Sequence, residues 1–296
     1  MGTAIPHTLG LPVPLSERKV TVGLRSIPSS TKSRLTDLYA TSRKKRREAR
    51  ADTLLISFAK SGRTWLRVLI GHAISDHYGF SDNVLDLDLL AKRDPSIPNI
   101  VETHDGGTVR AHVGDVSHEK SRYADKRVLF MVRDPRDTVV SAYFQASKRK
   151  RIFDGQLDEY LRSPVGSIDT IIQFHNVWAR ERHKPRGFHL VRYEDLHEDP
   201  ITQLRDVLNF LGLPEIQESS VKRAVEFASF ENMRRLELSG QVGHGRMVLR
   251  PGDEKDVESY KTRRGKAGGY RDYLSEADIR YLDHRIAKEL DPYFGY

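Results

Sequence analysis

From residue 53 onward the apolar positions of this chain follow two rhythms. TLLISF (53–58), NIVETH (99–104), RVLFMVR (127–133) and FHLVRY (188–193) are short apolar runs. They read as strands, since a strand covered on both faces shows little alternation. Elsewhere the apolar residues recur at three- and four-residue spacing. That spacing predicts helices over 64–78 (Trp65, Leu69, Ala73), 137–147, 168–182 (Ile168, Ile171, Ile172, Trp178) and 275–290. Another opens at Asp199-Pro200, carries Leu204, Val207, Leu208 and Leu211 on one face, and stops at Gly212-Leu213-Pro214. Strands alternating with helices predict an α/β fold: a single domain with a central, mostly parallel sheet flanked by helices. Residues 1 to about 30 lack either rhythm and read as an irregular arm. RKKRREAR (43–50) reads as a solvated helical face. The expected organisation is an N-terminal arm over 1–50 and one domain over 51–296.

Composition narrows the chemistry. The 296 residues include no cysteine, which excludes disulfides, thiol catalysis and cysteine-ligated metal sites. The formal net charge of +8 favours an anionic partner such as nucleic acid, acidic lipid or a phosphorylated small molecule. No apolar run approaches the ~20 residues that span a bilayer. The first residues lack the pattern of a secretory signal. The expectation is a soluble, cytoplasmic protein that needs no metal, since its twelve histidines form no H-x-x-x-H pair.

The candidate chemistry begins at FAKSGRTW (58–65), between a strand and a helix. Counted from Ser57, the segment nearly spells a P-loop, G-x-x-x-x-G-K-[ST], with Ser57 at the first glycine and Arg63 at the lysine. Such a loop presents unpaired N–H groups to a phosphate, and the helix dipole adds positive potential. Gly62 permits close approach, Ser61 and Thr64 offer hydroxyls, and Lys60 and Arg63 supply charge. An ordinary strand–turn–helix has the same spacing. A second basic station, RVLFMVRDPRDTVVSAYF (127–144), sets Arg133 at a strand's carboxyl end with Ser141 beside it; the bland alternative pairs Arg133 with Asp134 or Asp137. A third, YKTRRGKAGGYRDY (260–273), joins arginines to glycines in a loop suited to close on an anion. Three stations on one sheet suggest a ligand with phosphates at more than one position.

Six segments then resemble one family in its own order. FAKSGRTW is similar to the 5′-phosphosulfate loop (PKSGTTW) of the cytosolic, small-molecule sulfotransferases that use 3′-phosphoadenosine 5′-phosphosulfate (PAPS) and release 3′-phosphoadenosine 5′-phosphate (PAP). VETH resembles the strand with the catalytic histidine (KTH), VRDPRDTVVSAYF the 3′-phosphate segment, and VRYEDLHEDP the segment YEDLKEDP. ASFENM (228–233) resembles the adenine-side SFxxM, and TRRGKAGGYR the loop RKGxxGDWK. The likeness runs from residue 53 to 271. It implies a P-loop-like nucleotide-binding core and transfer of a sulfonate group from PAPS to a hydroxyl or amine of a small molecule. It further implies that Lys60 assists the leaving nucleotide, that Ser61, Gly62, Arg63 and Thr64 cradle the 5′-phosphate, and that Trp65 lies against the adenine. Arg133, Ser141, Arg263, Arg264 and Gly265 would hold the 3′-phosphate, with Ser141 also beside the catalytic group. Tyr193 and Phe230 would line the adenine side, and His104 would be the general base.

Three positions depart from the family pattern. Arg63 replaces a threonine, Gly269-Tyr270 replaces Asp-Trp, and Glu102 stands where lysine is usual. Positions 102 and 104 share a strand face, which makes Glu102 an orienter of His104 or an alternative base. The family's short C-terminal dimer motif is not visible, so oligomeric state is open. The acceptor-facing segments are expected at 105–107, 145–168 and a lid-like 238–260. A P-loop small-molecule or nucleotide kinase remains an alternative. So does a basic module gripping nucleic acid through 43–50 and KRKR (148–151), though no aromatic interleaving supports it.

Overall fold

The computed structural model describes Met1 and residues 42–81, 86–240 and 249–296. The arm over 1–30 and residues 241–248 of the lid-like segment lie outside the described residues. The chain divides into two units, Met1–Lys45 and Arg46–Tyr296, and the second carries the sheet. The basic run 43–50 is helical, with most of its side chains exposed. Among the described residues no helix is long and apolar enough to cross a membrane.

Strands β1 (Thr53–Ser57), β2 (Ile100–Thr103), β3 (Arg127–Val132) and β4 (Gly187–Arg192) form a wholly parallel sheet in the order β2-β1-β3-β4. The unbroken apolar runs have the expected cause. In β1, Leu54 and Ile56 enter one core and Leu55 the other; in β3, Val128, Phe130 and Val132 enter the first, Leu129 and Met131 the second. Helices cover each face. On one side pack α1 (Arg63–His77), α4 (Pro200–Leu211) and α5 (Glu218–Phe227). On the other pack α2 (Pro135–Phe144), α3 (Ile168–Glu181) and α7 (Glu276–Glu289). This is the α/β architecture expected of the sequence.

Local chemistry sets the boundaries. Helices α2 and α4 begin alike: Asp134 and Asp199 accept N–H bonds from Arg136 (2.8 Å) and Thr202 (3.1 Å), and proline takes the first helical position. So α2 starts two residues before the apolar spacing indicates. It ends at Phe144 and continues as a π-helical turn, Gln145–Arg149. Gly212 stops α4 in the left-handed conformation, φ 86°. Tyr193, expected at a strand end, instead opens the short helix Tyr193–Glu198. Helices α5 and α6 (Phe230–Ser239) were not anticipated; they bury only Ser220, Val221 and Ala224, and Met233 and Glu237. In the order 2-1-3-4 the winding reverses between β1 and β3, so their carboxyl ends flank the crevice where open α/β sheets bind ligands.

Candidate active site

A cavity of about 780 Å³ opens at that crevice. Loop 58–62 leads from β1 into α1 and lines the cavity with Ala59, Lys60 and Gly62. Gly62 caps α1 at φ 94°, and Lys60 also takes a left-handed backbone, φ 78°. That conformation costs a non-glycine residue about 1–3 kcal/mol and is a hallmark of strained functional loops. The backbone N–H groups of residues 60–64 have no acceptor among the described residues. Ser61 is fully buried and its Oγ has no hydrogen-bond partner among the described residues. Lys60, Gly62, Arg63, Thr64 and Trp65 line the cavity, while Ser61 lies beneath it. A row of free donors at a helix start is an anion site by construction.

Lys60 is ringed by positive charge. Its Nζ lies 3.4 Å from Gln145 Oε1, at the start of the π turn. Burial, then Arg149, Lys261 and Arg263, push its pKa down to about 7. Lys261 also lines the cavity and is lowered to about 8, by burial first and then by Arg149.

The second and third stations meet in the same cavity, where Arg133, Ser141, Arg263, Arg264 and Gly265 are all in its wall. Arg133 pairs with Asp137 at 3.2 Å, donates to Lys266 O at 2.9 Å, and stacks over Tyr193 at 4.5 Å. Asp134 instead pairs with Arg136. Asp137 accepts the N–H groups of Gly268 and Tyr270 at 2.8 Å each, which fixes the glycine-rich loop. Glu237, fully buried in α6, accepts the N–H groups of Lys261 and Thr262 at 2.7 and 2.8 Å and fixes the start of that loop. Arg263 stacks over Phe144 at 4.4 Å and pairs with Glu258 at 3.0 Å. Arg264 bonds Tyr273 Oη at 2.9 Å and leaves its side chain half exposed. The same wall carries Trp65, edge-on to Tyr193 at 5.7 Å, and the exposed Phe230. A Cβ on Gly265 would lie 2.3 Å from the Phe230 ring.

His104 follows β2 and faces the same cavity. Its Nδ1 lies 2.9 Å from Ser57 O, which only accepts, so Nδ1 carries the proton. The lone pair of the neutral ring is then on Nε2, 2.9 Å from Arg63 Nη2. Arg63 Nη1 donates to Thr103 O at 2.5 Å. Burial lowers the Arg63 pKa to about 10, against the raising effect of Glu102. Glu102 itself lies 3.5 Å from Arg47 and is not among the described residues that line the cavity.

The sulfotransferase domain model matches residues 50–293. The chain belongs to the sulfotransferase domain family. This sulfotransferase is 24% identical over 261 residues to flavonol 3-sulfotransferase of Flaveria bidentis, covering 81% of each chain. It is 26% identical over 271 residues to cytosolic sulfotransferase 10 of Arabidopsis thaliana, covering 81% of this chain and 78% of that one. Two solved structures share its fold. Mouse sulfotransferase SULT7A1 complexed with PAP gives a TM-score of 0.56 at 16% identity, covering 81% of this chain and 84% of that one. Retinol dehydratase in complex with androsterone and inactive cofactor PAP gives 0.57 at 18%, covering 80% of each. Membership makes the protein a sulfotransferase enzyme and leaves the kinase alternative without support.

Several residues at the sulfotransferase site were given no role by the sequence. Lys261 lies within the third station, Glu237 and Asp137 clamp its backbone, and Gln145 meets Lys60. Of the segments expected to face the acceptor, Gln145 and Lys150 line the cavity, but Thr108, Val109 and Arg110 do so in place of 105–107. Asp105 is buried instead with Lys120 (2.6 Å), Tyr123 (2.7 Å), Trp178 (3.2 Å) and Arg122. Arg149, from the KRKR run, turns inward to Glu237 and the carbonyls of Ser259 and Arg250.

Proposed function

We propose that this sulfotransferase uses PAPS as co-substrate and transfers its sulfonate to a hydroxyl or amine of a small molecule, leaving PAP. The observation that carries the reading is one cavity lined by both groups of anion-binding residues and by aromatic rings. Unpartnered N–H groups, the Ser61 hydroxyl and Lys60 suit the 5′-phosphosulfate; Arg133, Ser141, Arg263, Arg264 and Gly265 suit the 3′-phosphate. Trp65, Tyr193 and Phe230 offer surfaces for the adenine. Donor types and placement fit the nucleotide.

The co-substrate supplies a sulfonate already activated as a mixed anhydride with phosphate. His104 takes the acceptor's proton on Nε2, the nitrogen its Ser57 contact keeps unprotonated, as the acceptor oxygen or nitrogen bonds to sulfur. The sulfur–bridging-oxygen bond breaks, and its electron pair stays on the 5′-phosphate. Lys60 and the N–H groups of the loop stabilise the charge left there. Lys60 does so as ammonium, which an anion bound beside it favours. Glu102 acts through charge, near Arg47 and Arg63, and Ser141 as a donor beside the nucleotide.

Radiolabelled PAPS with a panel of phenols, alcohols and amines, run with and without a metal chelator, tests the reading. Label transfer that is indifferent to chelation is expected, together with thermal stabilisation by PAP. No stabilisation by PAP overturns it.

A further inference from the structure

The mouth of the cavity beside His104 is unusually cationic for a site that must admit a neutral phenol or alcohol. Arg63 and Lys261 both line it. Among the described residues neither has a carboxylate at ion-pair distance. Among the described residues Arg63 donates to neutral acceptors alone, Thr103 O and His104 Nε2. The Lys261 ammonium has no hydrogen-bond partner among the described residues; Glu237 is engaged by the backbone of the loop and by Arg149. Arg110 and Lys150, both exposed, line the same cavity. Glu102 and Glu237 act on the two cations only at a distance, and a half-buried cation with no carboxylate in contact is costly unless a ligand supplies one.

The position of Arg63 says which ligand. Its guanidinium occupies the place where an acceptor's O–H or N–H must reach His104 Nε2. Arg63 therefore lies on the acceptor's side of the transferring group, although it belongs to the nucleotide loop. A neutral acceptor would have to displace it and offer it nothing in return. An acceptor with an anionic group near its nucleophile gives Arg63 a better partner than a histidine lone pair, and so frees that lone pair for the incoming proton.

Resting on the sulfotransfer reading, we infer that the acceptor is a small molecule carrying an anionic group close to its hydroxyl or amine, bound by Arg63 and Lys261. Arg63 is then both the receptor for that anion and the latch on His104: the base is covered until an anionic acceptor draws the guanidinium away.

The test compares 3-hydroxybenzoate with its methyl ester, in the wild type and in Arg63→Thr and Lys261→Gln. The acid should exceed the ester in kcat/KM by about tenfold or more in the wild type, from one charge-assisted contact. Each variant should lose most of that preference, and Lys261→Gln should still be stabilised by PAP. An ester used as well as the acid, or a preference unchanged in both variants, overturns the inference. If neither phenol is turned over, binding to the PAP complex decides: extra thermal stabilisation by the acid and not the ester supports it, and equal shifts overturn it. Loss of PAP stabilisation in the wild type is a different failure, that of the sulfotransfer reading itself.

Discussion

Arg133 and Asp137 lie 3.2 Å apart, one helical turn from each other, and the same carboxylate accepts the N–H groups of Gly268 and Tyr270. The second station thus positions the third. Asp137→Ala removes a buried anion from an arginine and from two backbone donors. Loss of about 3–5 kcal/mol is expected, as for other broken buried pairs. The freed loop should carry Arg263 and Arg264 off the site, weakening PAP by about tenfold or more, a change of one charge-assisted contact. Thermal unfolding and calorimetric PAP titration measure the two effects separately.

Proton uptake should accompany nucleotide binding. In the free protein Lys60 and Lys261 titrate near 7 and near 8, because burial and neighbouring cations favour the neutral amine. A bound nucleotide anion reverses that preference at Lys60 and raises its value, while Lys261 answers to the acceptor's anion. PAP binding near pH 8 should therefore take up protons, and affinity should fall as pH rises above 7. Titrations in buffers of different ionisation enthalpy measure the uptake, which Lys60→Met should reduce. Folding runs the other way. Both folded-state values lie below 10.5, so the unfolded chain holds more protons above about 7, and the ligand-free protein gains stability as pH rises through that window.

The sheet was legible because its strands are buried on both faces: TLLIS and RVLFMV stand out with no partner needed to interpret them. The Asp199-Pro200 helix start was legible, since capping is local, whereas the same cap at Asp134-Pro135 lies two residues ahead of the start the spacing indicates. Helices α5 and α6 were hidden, because each buries few side chains and most of its surface is polar. At the site, the residues of the basic stations were readable from spacing. What holds them was not. The Arg133–Asp137 pair was among the sequence alternatives, but Asp137, Glu237 and Asp105 also act on groups distant in sequence, and a lone carboxylate has no pattern that marks it as a clamp. Lys261 read as one charge in a basic loop until its missing counter-ion became visible. Arg63 read as part of the phosphate cradle, whereas its side chain turns to His104.

Asp105 should matter for stability more than for binding. Its side chain is buried with Lys120, which is fully buried and pairs with it at 2.6 Å, and Tyr123 and Trp178 complete the cluster. Asp105→Asn leaves the Lys120 ammonium without its counter-ion. A loss of about 3–5 kcal/mol follows from the cost of an uncompensated buried charge. Urea denaturation measures it, and a loss under about 1 kcal/mol, the scale of an exposed pair, would contradict the cluster's role.

Two glycines with nearly the same backbone separate strain from crowding. Gly62 and Gly106 have φ of 94° and 88°, so alanine strains both alike. A Cβ at Gly106 meets nothing within 4 Å, but at Gly62 it meets the Tyr193 ring at 2.5 Å and Met131 at 2.8 Å. Gly106→Ala should cost about 1–2 kcal/mol from backbone strain alone. Gly62→Ala should cost about 1–3 kcal/mol more, the usual price of overpacking, and should weaken PAP binding by moving Tyr193. Chemical denaturation of the pair, with PAP titration, gives the difference directly.

The choice between His104 and Glu102 as base rests on where each side chain leads. His104 lines the cavity with its proton fixed on Nδ1 by Ser57, so Nε2 is ready to accept. Glu102 lies by Arg47 and bears on Arg63 through charge. His104→Ala should lower kcat by about 10²–10⁴, the range of a lost general base, while PAP affinity stays within about twofold, since no phosphate station is touched. Glu102→Gln removes charge from the flank of Arg63 and Arg47 but leaves the His104 lone pair in place. Its effect on kcat should stay below about tenfold, the size of a single altered electrostatic contact. Single-turnover rates with saturating PAPS isolate the chemical step from product release. Equal losses in the two variants would make Glu102 a partner in the proton transfer; a loss confined to Glu102→Gln would move the base there outright.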